Sequence, residues 1–214
     1  MAIAYANISN IYINSEQEDL AFESLKMATR LFERTQNYFR ISESYISYSK
    51  LYLKKGEMQK AYESIQMAIE AIDKEGNSYM GPKTLAHSSI QLVLGQVLLK
   101  MDSLQQSEKA LLKCFDLSKE NNFYNNSSLA ARNLSSLYKT MGKWQTAFKY
   151  LETSIEFSNI SRNDEKLNRL AKKELDYTIE KQKRKQQIML LEQKNEQTRN
   201  YWLLATGVCF RPCL

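Results

Sequence analysis

Tyr12, Tyr52, Leu98 and Tyr138 recur at intervals of 40, 46 and 40 residues, and each is followed by the same succession of residue types. Nine residues on stands a small residue (Ala21, Ala61, Ser107, Ala147), four later a larger apolar one (Leu25, Ile65, Leu111, Leu151), and three later a small one again (Ala28, Ala68, Cys114, Ser154). Three residues before each anchor stands Ser9, Ser49, Gly95 or Ser135, preceded directly by Ile8, Tyr48, Leu94 or Leu134. Small residues at fixed register mark places where two helix backbones approach closely, and the large neighbours fill the ridges beside the crossing. A chain built by such repetition stacks helix pairs into a solenoid. A plain antiparallel bundle needs no register between its pairs.

The rest of the composition agrees. Six Gly and two Pro in 214 residues, with no alternating apolar and polar run bounded by turn signals, leave no place for strands. Gly56, Asp102 and Gly142, four residues after three of the anchors, are suited to the reversal between two helices. Pro82, after Gly81, suits the first turn of a helix, and the stretch KEGNSYMGP before it accounts for the longer interval as an extended loop. The pattern predicts helices near 2–14, 17–36, 38–55, 57–75, 82–101, 104–121, 124–141 and 143–160. Residues 1–160 then hold four repeats, at about 2–36, 38–75, 82–121 and 124–160.

With its first-helix Tyr and the small-large-small second helix, the pattern resembles the tetratricopeptide repeat, W-x2-L-G-x2-Y followed by A-x3-F-x2-A over about 34 residues. SYISYSKLYLKKGEMQKAYESIQMAIEA and ARNLSSLYKTMGKWQTAFKYLETSIEF carry the resemblance most fully. The opening Trp is replaced by Tyr5, Tyr45, Gln91 and Ala131, the large second-helix residue is never Phe, and the closing Pro is absent. The period is longer by about six residues, almost one added turn per helix, as in the long-helix bacterial variants. The resemblance implies a right-handed α-solenoid of the all-α class. It also implies a protein-protein interaction module whose first helices line a concave groove.

Near Ser161 the run Ser-Arg-Asn-Asp breaks the pattern, and EKLNRLAKKELDYTIEKQKRKQQIMLLEQKNEQTRN follows without Gly or Pro, predicting one long charged helix over 161–200. Leu167, Leu170, Tyr177, Ile188, Leu191 and Trp202 fall on a heptad seam interrupted by Glu174, Lys181, Arg184, Asn195 and Thr198, a pattern that supports a weak dimer through 162–200. Alternatively, residues 162–178 cap the last repeat's apolar face. YWLLATGVCF, from Tyr201, opens with interfacial aromatics but is half the length of a membrane span. Residues 201–214 are therefore read either as a short amphipathic end or as the start of a truncated transmembrane segment, with membrane anchoring after Asn200. Met1 opens directly inside a repeat helix, so both ends read as cut.

The arrangement is similar to the sensory half of membrane-bound Bacteroidetes regulators, whose output is a histidine kinase or a helix-turn-helix domain. That resemblance implies an input module of a membrane-associated signalling protein with its repeats in the periplasm. Six Lys/Arg against two Asp/Glu in 181–199 favour the cytoplasmic side instead, so the side stays open, and the fragment itself is expected to be soluble. The alternative is a stand-alone scaffold that binds peptides or partner proteins.

Residues 162–199 carry eleven Lys/Arg and seven Asp/Glu, which places 11 − 7 = +4 of the chain's +6 on that helix; apart from Tyr177 no aromatic interleaves them in the manner of a nucleic-acid surface, and no nucleic acid is expected. The single His87 has no acidic or Cys neighbour at ligand spacing, Cys114 falls on a crossing position, and Cys209 and Cys213 form no framework with it. Phosphate-loop, nucleophile-elbow and zinc-protease motifs are absent from the sequence, so neither catalysis nor a cofactor or metal is expected. What remains is binding of a peptide or protein ligand in the groove. The positions expected to face it are Asn10 with Ile13, Ile46, Lys50, Leu53, Lys54, Leu92, Gln96, Lys100, Arg132, Ser136 and Lys139. Basic heads around an apolar floor suit an extended or helical peptide of acidic character.

Overall fold

The computed structural model describes residues 1–75 and 80–208, and among these every regular element is an α-helix. The order is α1 (Ala2–Asn14), α2 (Glu18–Arg34), α3 (Tyr38–Lys55), α4 (Met58–Lys74), α5 (Met80–Lys100), α6 (Leu104–Glu120), α7 (Tyr124–Thr140) and α8 (Trp144–Val208). Two compact units are formed, Met1–Ser161 and Arg162–Leu214. The loop expected over KEGNSYMGP falls partly on 76–79, outside the described residues. Helix α5 opens at Met80, with Pro82 in its first turn.

In the first unit the helices pair as the small residues dictate. Ala21, Leu25, Ala28, Thr29 and Phe32 bury one stripe of α2, and Ala61, Ile65, Ala68 and Ile72 the corresponding stripe of α4. At the crossing of α3 and α4 the Ser49 hydroxyl donates to the Ala61 carbonyl at 2.8 Å; at the crossing of α5 and α6 the Ser107 hydroxyl donates to the Gly95 carbonyl at 2.7 Å. Ser49 and Gly95 occupy one repeat position, and Ala61 and Ser107 the other. The hydroxyl has changed helix and the bond has been kept. Each bond satisfies a buried hydroxyl that would otherwise be costly. A β-carbon on Gly95 would lie 2.5 Å from Leu111 Cγ, so this crossing admits no side chain at all.

The reversals within pairs use the left-handed conformation. Gly56 and Gly142 have φ of 76° and 73°, and Asp102 has 58°. Glu16, at the same repeat position and not anticipated as a turn residue, has 59°. Between pairs, Gln36 and Asn122 adopt 51° and 58°. Left-handed backbone disfavours a residue with a Cβ by about 1–2 kcal/mol, and Gly gives back part of that in unfolded-chain entropy. Gln36→Gly should therefore stabilise the chain by about 0.5–1 kcal/mol in urea unfolding, and a loss of stability would mean that the Gln36 side chain contributes more than its backbone costs. Helix α3 is held at its start by two acceptors: Asn37 Oδ1 takes the Arg40 amide at 3.1 Å, and Glu75 Oε2, from the end of α4, takes the Phe39 amide at 2.6 Å. A carboxylate there also complements the helix dipole.

The second unit is helical to Val208, and α8 runs without interruption through Ser161–Asp164, where the sequence pattern changes and the boundary between the two units falls. Ser, Asn and Asp are weak helix formers but not breakers, and neither Gly nor Pro interrupts the run. The seam residues Leu167, Leu170, Tyr177, Ile188, Leu191 and Trp202 are all exposed. Ion pairs of one-turn spacing line this stretch, Arg169 to Glu165 at 2.6 Å and Arg184 to Glu180 at 2.9 Å. Each contributes a few tenths of a kcal/mol to the helix. Among the described residues no helix is long and apolar enough to cross a membrane.

Candidate functional site

The first helices α1, α3 and α5 border a cavity of about 240 Å³. Two rows one turn apart supply its walls: Ile3, Ala6, Asn7 and Asn10 from α1, and Glu43, Ile46, Ser47 and Lys50 from α3. Ile46 is buried and borders the slot from below, while Asn10 and Lys50 are exposed residues at its rim. Arg40, one further turn back, pairs with Glu43 at 2.7 Å. Burial by the walls lowers the Lys50 ammonium below the ordinary lysine range, and the Glu43 charge pulls it back up. The result is a cation held at the mouth of a mixed polar and apolar slot.

Of the predicted groove positions, the structure brings Asn10, Ile46 and Lys50 together. Leu92, at the same register as Ile46 and equally buried, corrects the prediction: it packs against Leu111, Leu134 and their neighbours and does not line this cavity. Leu53 is half-buried and packs against the Ile65 cluster, and Ile13 packs against Leu25 and Leu51. Lys54 is drawn off the expected basic stripe, because its Nζ donates to the Ile13 carbonyl at 2.8 Å and so caps the end of α1. Gln96 is half-buried; Lys100, Arg132 and Ser136 are set on their own helices and do not line this cavity. Lys139 lines a separate groove with Trp144, Phe148 and Leu151.

Asn7, Arg40, Glu43 and Ser47 escaped sequence reasoning. They lie three or four residues from predicted positions or from one another, on the neighbouring ridge of the same helix, and that spacing is the signal that could have found them.

A second, unanticipated groove of about 650 Å³ lies on the far side of α3, between α2 and α4. Its floor is aromatic: Phe22 and Tyr52 have ring centroids 5.1 Å apart, Phe22 and Tyr48 6.0 Å, and Tyr45 and Tyr48 6.1 Å. Burial pushes the Tyr48 hydroxyl up to about 12, against an opposing hydrogen bond with Thr29. Lys55 and Lys60 lie over the Phe22 and Tyr52 rings at 4.7 and 5.7 Å, so the rings already carry cations of this chain. Tyr138 and Tyr150, stacked at 5.5 Å, take the corresponding place between α6 and the start of α8.

The titratable groups considered for chemistry are structurally occupied. His87 is half-buried, and its pKa is lowered by burial, against the pull of Asp73 and with the help of Lys83 and Lys113. Cys114 is fully buried at the crossing with α5, 3.7 Å from the Ser88 hydroxyl, and burial pushes its thiol up to about 11. Its thiolate is thus scarce at neutral pH and enclosed. Iodoacetamide should modify Cys114 in the native chain only at the rate of unfolding, whereas labelling as fast as in urea, read by site-resolved mass spectrometry, would show an open crossing. Cys209 and Cys213 lie outside the described residues. Among the described residues no group of three or more His, Cys, Asp or Glu stands where it could hold a metal.

Paired helices in fixed register, with a groove on the first-helix side, define a tetratricopeptide-like helical-repeat fold. Residues 88–121, which run from the middle of α5 to the end of α6, match the tetratricopeptide repeat family. Among solved structures, the chain is similar to a Podosopora anserina protein of kinesin light chain type with nearly identical TPR-like repeats. The two are 15% identical, with a TM-score of 0.50 over 75% of this chain and 76% of that one. A Q17M variant of that protein matches at 14% identity with a TM-score of 0.36, over 75% of this chain and 95% of the other. No curated protein sequence matches the chain. The fold is the expected all-α, right-handed solenoid of tetratricopeptide-like helix pairs followed by a long helix.

Proposed function

We propose that the chain is a protein-protein interaction module whose peptide site is the slot between α1 and α3. The observation that carries this reading is the cavity itself, which Ile46, Asn10 and Lys50 line together. A peptide laid across it would place an apolar side chain on Ile46 and a carboxylate against Lys50, with Asn10 donating a further hydrogen bond. Glu43 and Arg40 neutralise one another beside it, so Lys50 supplies the charge that selects the ligand. Gln96, Lys100, Arg132, Ser136 and Lys139 would extend the surface along later repeats, with Leu53, Lys54 and Leu92 supporting it from within. An array of acidic and neutral peptides probed with the whole chain tests the assignment. Binding that follows acidic residues, and that is lost in Lys50→Glu, supports it; an unchanged profile would move recognition to the aromatic groove between α2 and α4.

Within this class, the charged helix over 162–200 leading to Tyr201 and Trp202 supports an input module of a membrane-bound bacterial signalling protein, with weak dimerisation through that helix. The stand-alone scaffold draws its support from the repeat unit. The two separate on one measurement, co-sedimentation of the natural full-length protein with membranes.

A further inference from the structure

The groove between α2 and α4 offers a ligand both ring surface and hydrogen-bond donors. Tyr52, Phe22, Tyr48 and Tyr45 form a file in which each ring packs on the next, and all four are half-buried where they line the groove. Tyr48 spends its hydroxyl on Thr29. Among the described residues the hydroxyls of Tyr45 and Tyr52 have no hydrogen-bond partner. Two repeats on, the same anchor position is used differently, for Tyr138 donates its hydroxyl to Glu108 Oε1 at 2.6 Å. Tyr52 is thus an anchor whose ring serves the fold and whose hydroxyl does not.

The groove also has no preferred sign of charge. Lys26, Arg30 and Lys60 line it together with Glu23, Glu33 and Glu63, so a charged ligand gains on one residue what it loses on another. Cations are further disfavoured because Lys55 and Lys60 already stand over the Phe22 and Tyr52 rings. The ligand that fits is neutral, apolar enough to lie on rings, and supplied with acceptors that lack donors of their own. A helix brings its carbonyls already bonded. A proline-rich segment meets all three requirements, since proline has no backbone N–H and a polyproline II helix leaves its carbonyls free. The spacing agrees as well. Tyr45 and Tyr52 stand seven residues apart on α3, about 10 Å along its axis, and a polyproline II helix returns the same face about every 9 Å.

We propose that this groove binds a proline-rich segment of a partner protein as a polyproline II helix. Prolines would lie on the file of rings, and carbonyls one turn apart would accept from the Tyr45 and Tyr52 hydroxyls. Such a segment is already extended and loses little conformational freedom on binding. The site takes a different class of ligand from the slot between α1 and α3 and does not depend on it.

Calorimetric titration of the whole chain with decaproline, beside a Gly-Ser peptide of equal length, tests the proposal. The parent should bind decaproline saturably and the Gly-Ser peptide not at all. Tyr45→Phe combined with Tyr52→Phe keeps both rings and removes both hydroxyls, so it should weaken decaproline at least fivefold at unchanged helical content. Lys50→Glu should leave decaproline binding as it is, so a failure of either site leaves the other standing. Should the double variant unfold, decaproline tagged with benzophenone locates the site on the parent by mass spectrometry. Crosslinks to α2 and α4 support the groove, whereas crosslinks to α1 or only within residues 162–208 overturn it. A parent that takes up no decaproline at millimolar concentration, equal binding of the two peptides, or a folded double variant that binds like the parent would each overturn it too.

Discussion

Gly95→Ala should lower the free energy of unfolding by about 1–3 kcal/mol, although Ala is the better helix former by about 1 kcal/mol. The added methyl would sit 2.5 Å from Leu111 Cγ and 2.6 Å from Cδ2, and Leu111 is fully buried with nowhere to retreat. Leu111→Ala alone should cost more, about 2–5 kcal/mol, through lost burial and the cavity left behind. The informative variant is the double one. Truncating Leu111 vacates the space that a methyl on the α5 backbone needs at this crossing, so the two losses should fall short of their sum by about 1 kcal/mol or more in urea unfolding. Strict additivity would mean that the α5–α6 crossing relaxes by backbone movement and that glycine is dispensable there.

Lys50→Glu should reduce the affinity for an acidic peptide by about ten- to a hundredfold, measured by calorimetry on the best array hit. A charge-assisted hydrogen bond to a carboxylate contributes about 1.5–3 kcal/mol, and each step of about 1.4 kcal/mol is a factor of ten. The new carboxylate would also stand near Glu43, whose charge acts on position 50 in the native chain. Glu43→Gln should act in the opposite direction and tighten acidic peptides severalfold. Because residue 50 is exposed at the rim, the stability of Lys50→Glu should stay within about half a kcal/mol of the parent. An unchanged affinity beside intact helical content would remove the α1–α3 slot from consideration.

The helix pairs were legible because their signal is steric and local. A small residue at a crossing leaves a trace every repeat, and Ala21, Ala61, Ser107 and Ala147 are buried where that trace predicted crossings. The turns were legible where Gly56 and Gly142 announce positive φ, and not at Glu16, whose side chain gives no hint of it. The slot was half legible. Asn10, Ile46 and Lys50 lie on one ridge of their helices, but whether a residue at that register faces solvent or the next pair depends on its size and on the facing helix. Leu92 and Ile46 hold one repeat register and both are buried, but only Ile46 borders the slot. Lys54 could not have been placed from spacing alone, since its partner is a carbonyl 41 residues away at the end of another helix.

The exchanged hydroxyl of the two middle pairs sets the grain at which this chain could be rearranged by recombination. Joining α3 to α6 would bring Ser49 and Ser107 to one crossing, two hydroxyls in the space where the native pairs have one; joining α5 to α4 would bring Gly95 to Ala61 and leave the crossing with no hydroxyl. The single helix is thus not an exchangeable part here. The hairpin is, because each hairpin carries its own answer to who donates, and duplication of such a chain preserves its seams when the break points fall between pairs.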